Sequence, residues 1–170
     1  MQHTSQQQSL QKLILWADNN HLSPEHFPRD IATLLSLKKL NLHDKNLTSI
    51  PPEIGLLKNL EELYLSYNQL VEIPKVKSLE VLWLMGNQLY TLPDTIYTLP
   101  YLRDLIVFEN RMKNVSEKLF NMPRLEYILL HDNHLDALAK CDTFLSKINK
   151  YCTHALHLAT SRINTWPVCA

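Results

Sequence analysis

Eight histidines and three cysteines are the side chains of this chain with the most chemistry to offer. The histidines are densest at His131-Asp132-Asn133-His134 and His154-Ala155-Leu156-His157. If the two groups lie on neighbouring strands of one sheet, His131 and His157 face the same side with Asp132 nearby. Nitrogen and oxygen ligands of this kind can hold zinc in a four-coordinate shell. His134 falls past its strand and His154 at the start of the next, so both point elsewhere and the shell stays open. No metal site is assigned; the group reads as a solvated histidine patch, or as an interface that responds to pH near neutrality. Cys141, Cys152 and Cys169 form no disulfide framework, and an odd number suits a reducing compartment. A nucleophilic thiolate needs a basic partner, and no spacing supplies one to Cys141. Gly55 and Gly86 are the two glycines, whereas phosphate-cradling loops need several close together. The chain reads as no enzyme and without a cofactor.

Self-similarity organises the rest of the chain. Segments of the form L-x-x-L-x-L-x-x-N-x-L begin at Leu37, Leu60, Leu79, Leu102 and Leu125. They read LKKLNLHDKNL, LEELYLSYNQL, LEVLWLMGNQL, LRDLIVFENRM and LEYILLHDNHL. A sixth, weaker copy runs from His154 through Leu156 and Leu158 to Trp166-Pro167, with Ser161 where the others carry Asn. The alternating leucines predict short strands buried on one face. Asn68, Asn87, Asn110 and Asn133 follow the strands, where a stacked amide can satisfy the backbone groups that a bend leaves unpaired. Ile50-Pro51, Ile73-Pro74 and Leu92-Pro93 then open an extended or loosely helical return, since proline fixes φ and blocks strand pairing. No unit can bury its leucines alone, so stacking is compulsory.

On these residues the chain resembles the leucine-rich repeat family, and Pro51-Pro52-Glu53-Ile54 and Pro93-Asp94-Thr95-Ile96 resemble its L-x-x-L-P-x-x-I type. Such repeats are similar to those of Ras-associated intracellular scaffolds and bacterial cytosolic or effector proteins. The resemblance implies an α/β solenoid: a right-handed horseshoe with a curved parallel sheet of about six strands. It departs from the pattern at Lys45, which replaces the first Asn beside Asn46, and in the repeat from Leu60. That repeat is four residues shorter than its neighbours, 19 against 23, so its return should be tighter and more extended. Cys141-Asp142 faintly resembles the nucleophile segment of bacterial ubiquitin ligases with such repeats, but the large helical domain those enzymes carry after the repeats is not in this sequence.

The predicted organisation is a helical N-terminal cap over 1–36, five repeats over 37–140, a helical insert over 141–152, and a final weak repeat with the C-terminus over 153–170. In the cap, Ser9–Asn19 reads as an amphipathic helix and Asp30 as the start of a second helix through Leu37. Asp142–Tyr151 reads as the insert helix. Lys plus Arg and Asp plus Glu are 17 each, so no global field recruits nucleic acid or an anionic membrane. No apolar run approaches a membrane span or a secretory leader. A cytoplasmic location is expected, with delivery into a host cell as a secreted bacterial effector as the alternative.

Within the implied fold the non-leucine strand positions line the concave face. One row runs Asn41, Tyr64, Trp83, Ile106, Leu129, His157; beside it lie His43, Ser66, Met85, Phe108, His131 and Lys39, Glu62, Val81, Asp104, Tyr127. The centre is apolar, with Tyr67 close by, and charges such as Glu62, Arg103, Asp104 and Glu109 ring it. An apolar centre with a charged rim is the anatomy of a protein interface. The expected function is protein–protein interaction through Tyr64, Tyr67, Val81, Trp83, Met85, Arg103, Asp104, Ile106, Phe108, Glu109, Tyr127, Leu129 and His131. Cross-strand packing alone is the plainer account of the same rows. The alternative function is a structural subunit that forms a homodimer through its C-terminal edge strand, because an uncovered strand is a template for pairing.

Overall fold

A computed structural model describes residues 12–14, 29–73 and 75–135. The short L-x-L strands form one parallel sheet in which each strand pairs with the next: β1 (Lys12–Ile14), β2 (Lys39–Asn41), β3 (Glu62–Tyr64), β4 (Val81–Trp83), β5 (Asp104–Ile106) and β6 (Tyr127–Leu129). The pairing keeps equivalent repeat positions in register, so Leu40, Leu63, Leu82, Leu105 and Ile128 stand in one line through the core. All five are buried, as are Leu42, Leu65, Leu84, Val107 and Leu130 two residues on. Burying each such side chain contributes about 1.5–3 kcal/mol, and stacking makes this possible without a second sheet.

The asparagine ladder closes the strand ends. Asn87 donates through Nδ2 to the carbonyls of Leu84 (3.0 Å) and Met85 (3.3 Å) of its own repeat and Leu65 (3.0 Å) of the one before, while its Oδ1 accepts from the Leu70 N–H at 3.0 Å. Asn110 repeats this with Val107, Phe108, Leu84 and Leu89, and Asn133 with Leu130, His131, Val107 and Met112. Asn68 does the same toward Leu65, Ser66 and Leu42, and its Oδ1 accepts from both Lys45 and Leu47. Asparagine suits the position because one short side chain carries two N–H donors and a carbonyl acceptor. Where Lys45 stands in its place, the lysine is buried and its Nζ donates to the Asp44 carbonyl at 3.4 Å.

Among the described residues, four 3-10 turns lie away from the sheet: Arg29–Thr33, Pro52–Leu56, Ile96–Thr98 and Glu117–Asn121. Between Tyr64 and Val81, among the described residues, the shorter repeat has none, which agrees with the extended return expected from its length. Two expectations for the cap are corrected. Residues Lys12–Ile14 are strand, not part of a helix over Ser9–Asn19, and pair with Lys39–Asn41. The run Leu10-Gln11-Lys12-Leu13-Ile14-Leu15 carries the same L-x-x-L-x-L order as the repeats, and a neighbouring strand decides for the twofold alternation. The second helix is a 3-10 turn ending at Thr33 rather than Leu37, because Leu34 and Leu37 are both drawn into the core. The insert over 141–152 and the final strand near Leu156 lie outside the described residues.

Replacing Asn110 by Ala leaves the buried Leu89 N–H without its acceptor and takes one of two donors from each of the carbonyls of Leu84, Val107 and Phe108, and a buried unpaired group costs about 1–3 kcal/mol. We expect urea unfolding to show a loss of about 1–3 kcal/mol for Asn110→Ala, against near-neutral behaviour for Gln69→Ala at the exposed position that follows the ladder asparagine Asn68.

Candidate functional site

Register fixes which side chains meet on the face of the sheet opposite the leucines. The middle row places Asn41, Tyr64, Trp83, Ile106 and Leu129 on successive strands, and its neighbour places Lys39, Glu62, Val81, Asp104 and Tyr127. Backbone bonds continue past the strands: Tyr67 N–H to Met85 O, Gly86 N–H to Phe108 O and Glu109 N–H to His131 O. These hold Ser66, Met85, Phe108 and His131 alongside as a third row, at the strand spacing of about 4.8 Å.

The side chains interlock. The Tyr64 ring meets Trp83 edge-on at 4.8 Å and 89°, a geometry favoured by the ring quadrupoles. Its hydroxyl donates to Glu62 at 2.5 Å, and Glu62 also pairs with Lys39 at 2.5 Å. Partial burial, reinforced by the Glu62 carboxylate, pushes the Tyr64 phenol up to about 12. Burial acts to raise Glu62 as well, but the hydrogen bonds from Lys39 and Tyr64 outweigh it and hold its carboxyl below the usual range. Further along, Phe108 and His131 stack at 4.3 Å and 14°, with His131 Nε2 3.8 Å from Asp132. Among the described residues, the buried His131 Nδ1 has no hydrogen-bond partner.

Tyr67 owes its place to the backbone. It sits just before the ladder asparagine at φ 55°, and Asp44, Glu109 and Asp132 at the same repeat position are also left-handed. In the next repeat that position is Gly86, at φ 65°, and a Cβ there would lie 2.5 Å from Tyr67 Cδ1. The missing side chain is the seat of the ring, which also meets His43 edge-on at 5.2 Å.

The expected apolar centre is therefore smaller at the surface than its residue types imply. Val81 and Ile106 are buried, each 8% exposed, Val81 between Glu62 and Asp104 and Ile106 between Trp83 and Leu129 on adjoining strands. Met85, Phe108, Tyr127 and Leu129 are half-buried. Trp83 and Tyr67 stand open, 36% and 43% exposed. On the rim, Arg103 reaches Asp104 at 3.5 Å and Glu126 at 3.9 Å, and Glu109 is exposed. Reading by residue type placed Glu62 on the rim rather than under Tyr64, and passed over Gly86. The signals were there: Lys39 and Glu62 share a row, and Gly86 stands at the repeat position where the first and fifth copies carry Asp44 and Asp132. Among the described residues no three His, Cys, Asp or Glu side chains converge on a metal site, and His157 and Cys141 lie outside them.

Residues 35–89, the stretch that carries the first ladder asparagines, match the family model of the leucine rich repeat. The chain is a leucine-rich repeat protein. This leucine-rich repeat protein is 33% identical over 118 residues to the flightless-1 homolog of Caenorhabditis elegans, covering 68% of its own length but 8% of that relative. Its structure is similar to that of a leucine-rich repeat protein of Leptospira interrogans, at 31% identity and a TM-score of 0.68, covering 82% of this chain and 36% of that one. Internalin C2 of Listeria monocytogenes matches at 28% identity and a TM-score of 0.57, over 70% of this chain and 54% of its own. The chain thus spans a small part of the first and about a third to a half of the others.

The raised Tyr64 pKa makes stability depend on alkaline pH. A group that holds its proton more tightly when folded contributes stability that is complete below its unfolded pKa of about 10, and that is lost as pH rises through the folded value. Stability of the wild type should fall between about pH 10 and pH 12 more steeply than that of Tyr64→Phe, as measured by urea unfolding across that range. Equal slopes would remove the Glu62–Tyr64 bond from the account.

Proposed function

We propose that this protein binds a partner protein across the open face of its sheet, with Trp83 and Tyr67 as the anchoring side chains. Leucine-rich repeat proteins generally mediate protein–protein interaction, and the fold is typically a non-enzymatic scaffold. The observation that carries the proposal is the pair of exposed aromatics, Trp83 and Tyr67, rising from a half-buried floor of Met85, Phe108, Tyr127 and Leu129. Aromatic anchors of this kind supply most of the energy of interfaces because they bury large area at little conformational cost. The side chains beside the anchors are already packed: Tyr64 is held by Glu62 and Trp83, and Phe108 by His131. Preorganised side chains lose less freedom on association. Arg103, Asp104 and Glu109 would set register and association rate more than affinity.

Affinity capture with the wild type and with Trp83→Ala/Phe108→Ala tests the reading. Both changes lie on the open face, so circular dichroism should show the fold intact. A partner retained by the wild type should be lost from the variant, with at least a ~10-fold weaker affinity, since truncating an anchor typically costs 2 kcal/mol or more. Equal capture by both would refute the open-face site. A stable dimer in solution that persists in the variant would move attention to an edge strand instead.

A further inference from the structure

The charges of the chain balance, 17 against 17, yet they are not spread evenly over the solenoid. The open face and its two rims run from the residue before each strand to the residue before each ladder position: 38–44, 61–67, 80–86, 103–109 and 126–132. With histidine neutral, these segments hold eight carboxylates and three cations, an excess of five negative groups that the rest of the chain offsets. The three cations are already engaged on this face: Lys38 with Glu61 at 2.7 Å, Lys39 with Glu62 at 2.5 Å, and Arg103 with Asp104 at 3.5 Å. Glu80 and Glu109, both exposed, have no ion pair among the described residues. The negative groups are also ordered. Glu61, Glu80 and Glu126 stand just before their strands, and Asp44, Glu109 and Asp132 a short way past theirs. An acidic rim thus runs along each side of the apolar row of Tyr64, Trp83, Ile106 and Leu129. On the second rim, Lys45 beside Asp44 is buried, and Arg111 donates to the Tyr90 hydroxyl at 3.3 Å.

We propose that the partner presents a basic amphipathic helix to this face, with its apolar stripe on Trp83 and Tyr67 and Lys or Arg on both flanks. The inference rests on the open-face reading and adds the chemistry of what is bound. Charge complementarity sets the sign, since an acidic partner would meet repulsion from both rims. Dimensions fit a helix. The three side-chain rows span four residues of strand, ~13 Å, and a helix with its side chains is ~10–12 Å across. Five strands at ~4.8 Å extend over ~19 Å, the length of about 13 helical residues. Apolar side chains at i, i+3 or i+4 and i+7 then fall along the central row, and the flanking cations reach the rims. An extended segment offers the sheet a single line of alternate side chains, so it cannot serve an apolar centre and two acidic rims together. The two exposed aromatics supply the short-range anchor that the carboxylates alone lack.

Fluorescein-labelled peptides of about 14 residues test this by anisotropy with the full chain. One carries leucine and lysine at helical spacing, a second leucine and glutamate at the same spacing, and a third leucine and lysine in strict alternation. The helical lysine peptide should bind at least ~10-fold more tightly than either other peptide, and weaken as salt rises. Asp44→Asn/Glu80→Gln/Glu109→Gln, all at exposed positions, should weaken it about tenfold while circular dichroism shows the fold intact. Trp83→Ala should weaken it by a similar factor. If lysine and glutamate peptides bind equally and both are lost from Trp83→Ala, the basic partner is excluded and the open face remains the site. Lysine-peptide binding that ignores Trp83→Ala lies elsewhere and overturns both readings. Equal affinity for the alternating peptide, or no binding of the helical lysine peptide, overturns the proposal alone.

Discussion

A chain that leaves a three-residue strand and turns through a buried bend must satisfy backbone groups that no strand partner can reach. In this protein one side-chain amide per repeat meets that need, and the other features follow from it. Asn68, Asn87, Asn110 and Asn133 each bind carbonyls two and three residues back, a carbonyl of the preceding repeat, and an N–H of that repeat. Because every asparagine spans two repeats, it fixes their spacing as well as its own turn. Register follows from spacing, and the leucine lines follow from register. The open face is a consequence of the same constraint: its side chains meet because the strands beneath them cannot slip.

Most of the solenoid was legible in the sequence because its physics is periodic. Five copies of L-x-x-L-x-L-x-x-N-x-L leave little freedom over which residues face inward, and the missing four residues of the short repeat announced its extended return. The first strand was misread because Leu10, Leu13, Ile14 and Trp16 also suit a helical stripe. Local pattern could not choose between the two periods; pairing with Lys39–Asn41 does. Surface exposure was the least legible property. Val81 and Ile106 have the right type and the right row, yet each is buried among its cross-strand neighbours. Exposure depends on side-chain lengths across three strands, and that is a property of the sheet rather than of any one repeat.

The two faces use the repeat differently. On the open face, uniform spacing lets aromatic and charged side chains interlock across strands, so Glu62, Tyr64 and Trp83 form one connected group. On the far side, the short repeat brings its return segment against the preceding one, and Gly55 allows the close approach of the Lys75 carbonyl. Glycine is thus used twice for the absence of its Cβ, at Gly55 against a carbonyl and at Gly86 beneath the Tyr67 ring.

Amide hydrogen exchange in the native protein tests the central claim most directly. The N–H groups of Leu47, Leu70, Leu89 and Met112 have no strand partner and donate to an asparagine Oδ1. If the ladder holds the repeats together, these four should exchange only through opening of the stacked repeats, as slowly as the amides of Leu65 and Leu84, which follow β3 and β4 and bond to Trp83 and Ile106 on the next strands. Exchange at the rate of exposed loop amides, with the strands still protected, would contradict it and leave the leucine lines alone to set the spacing.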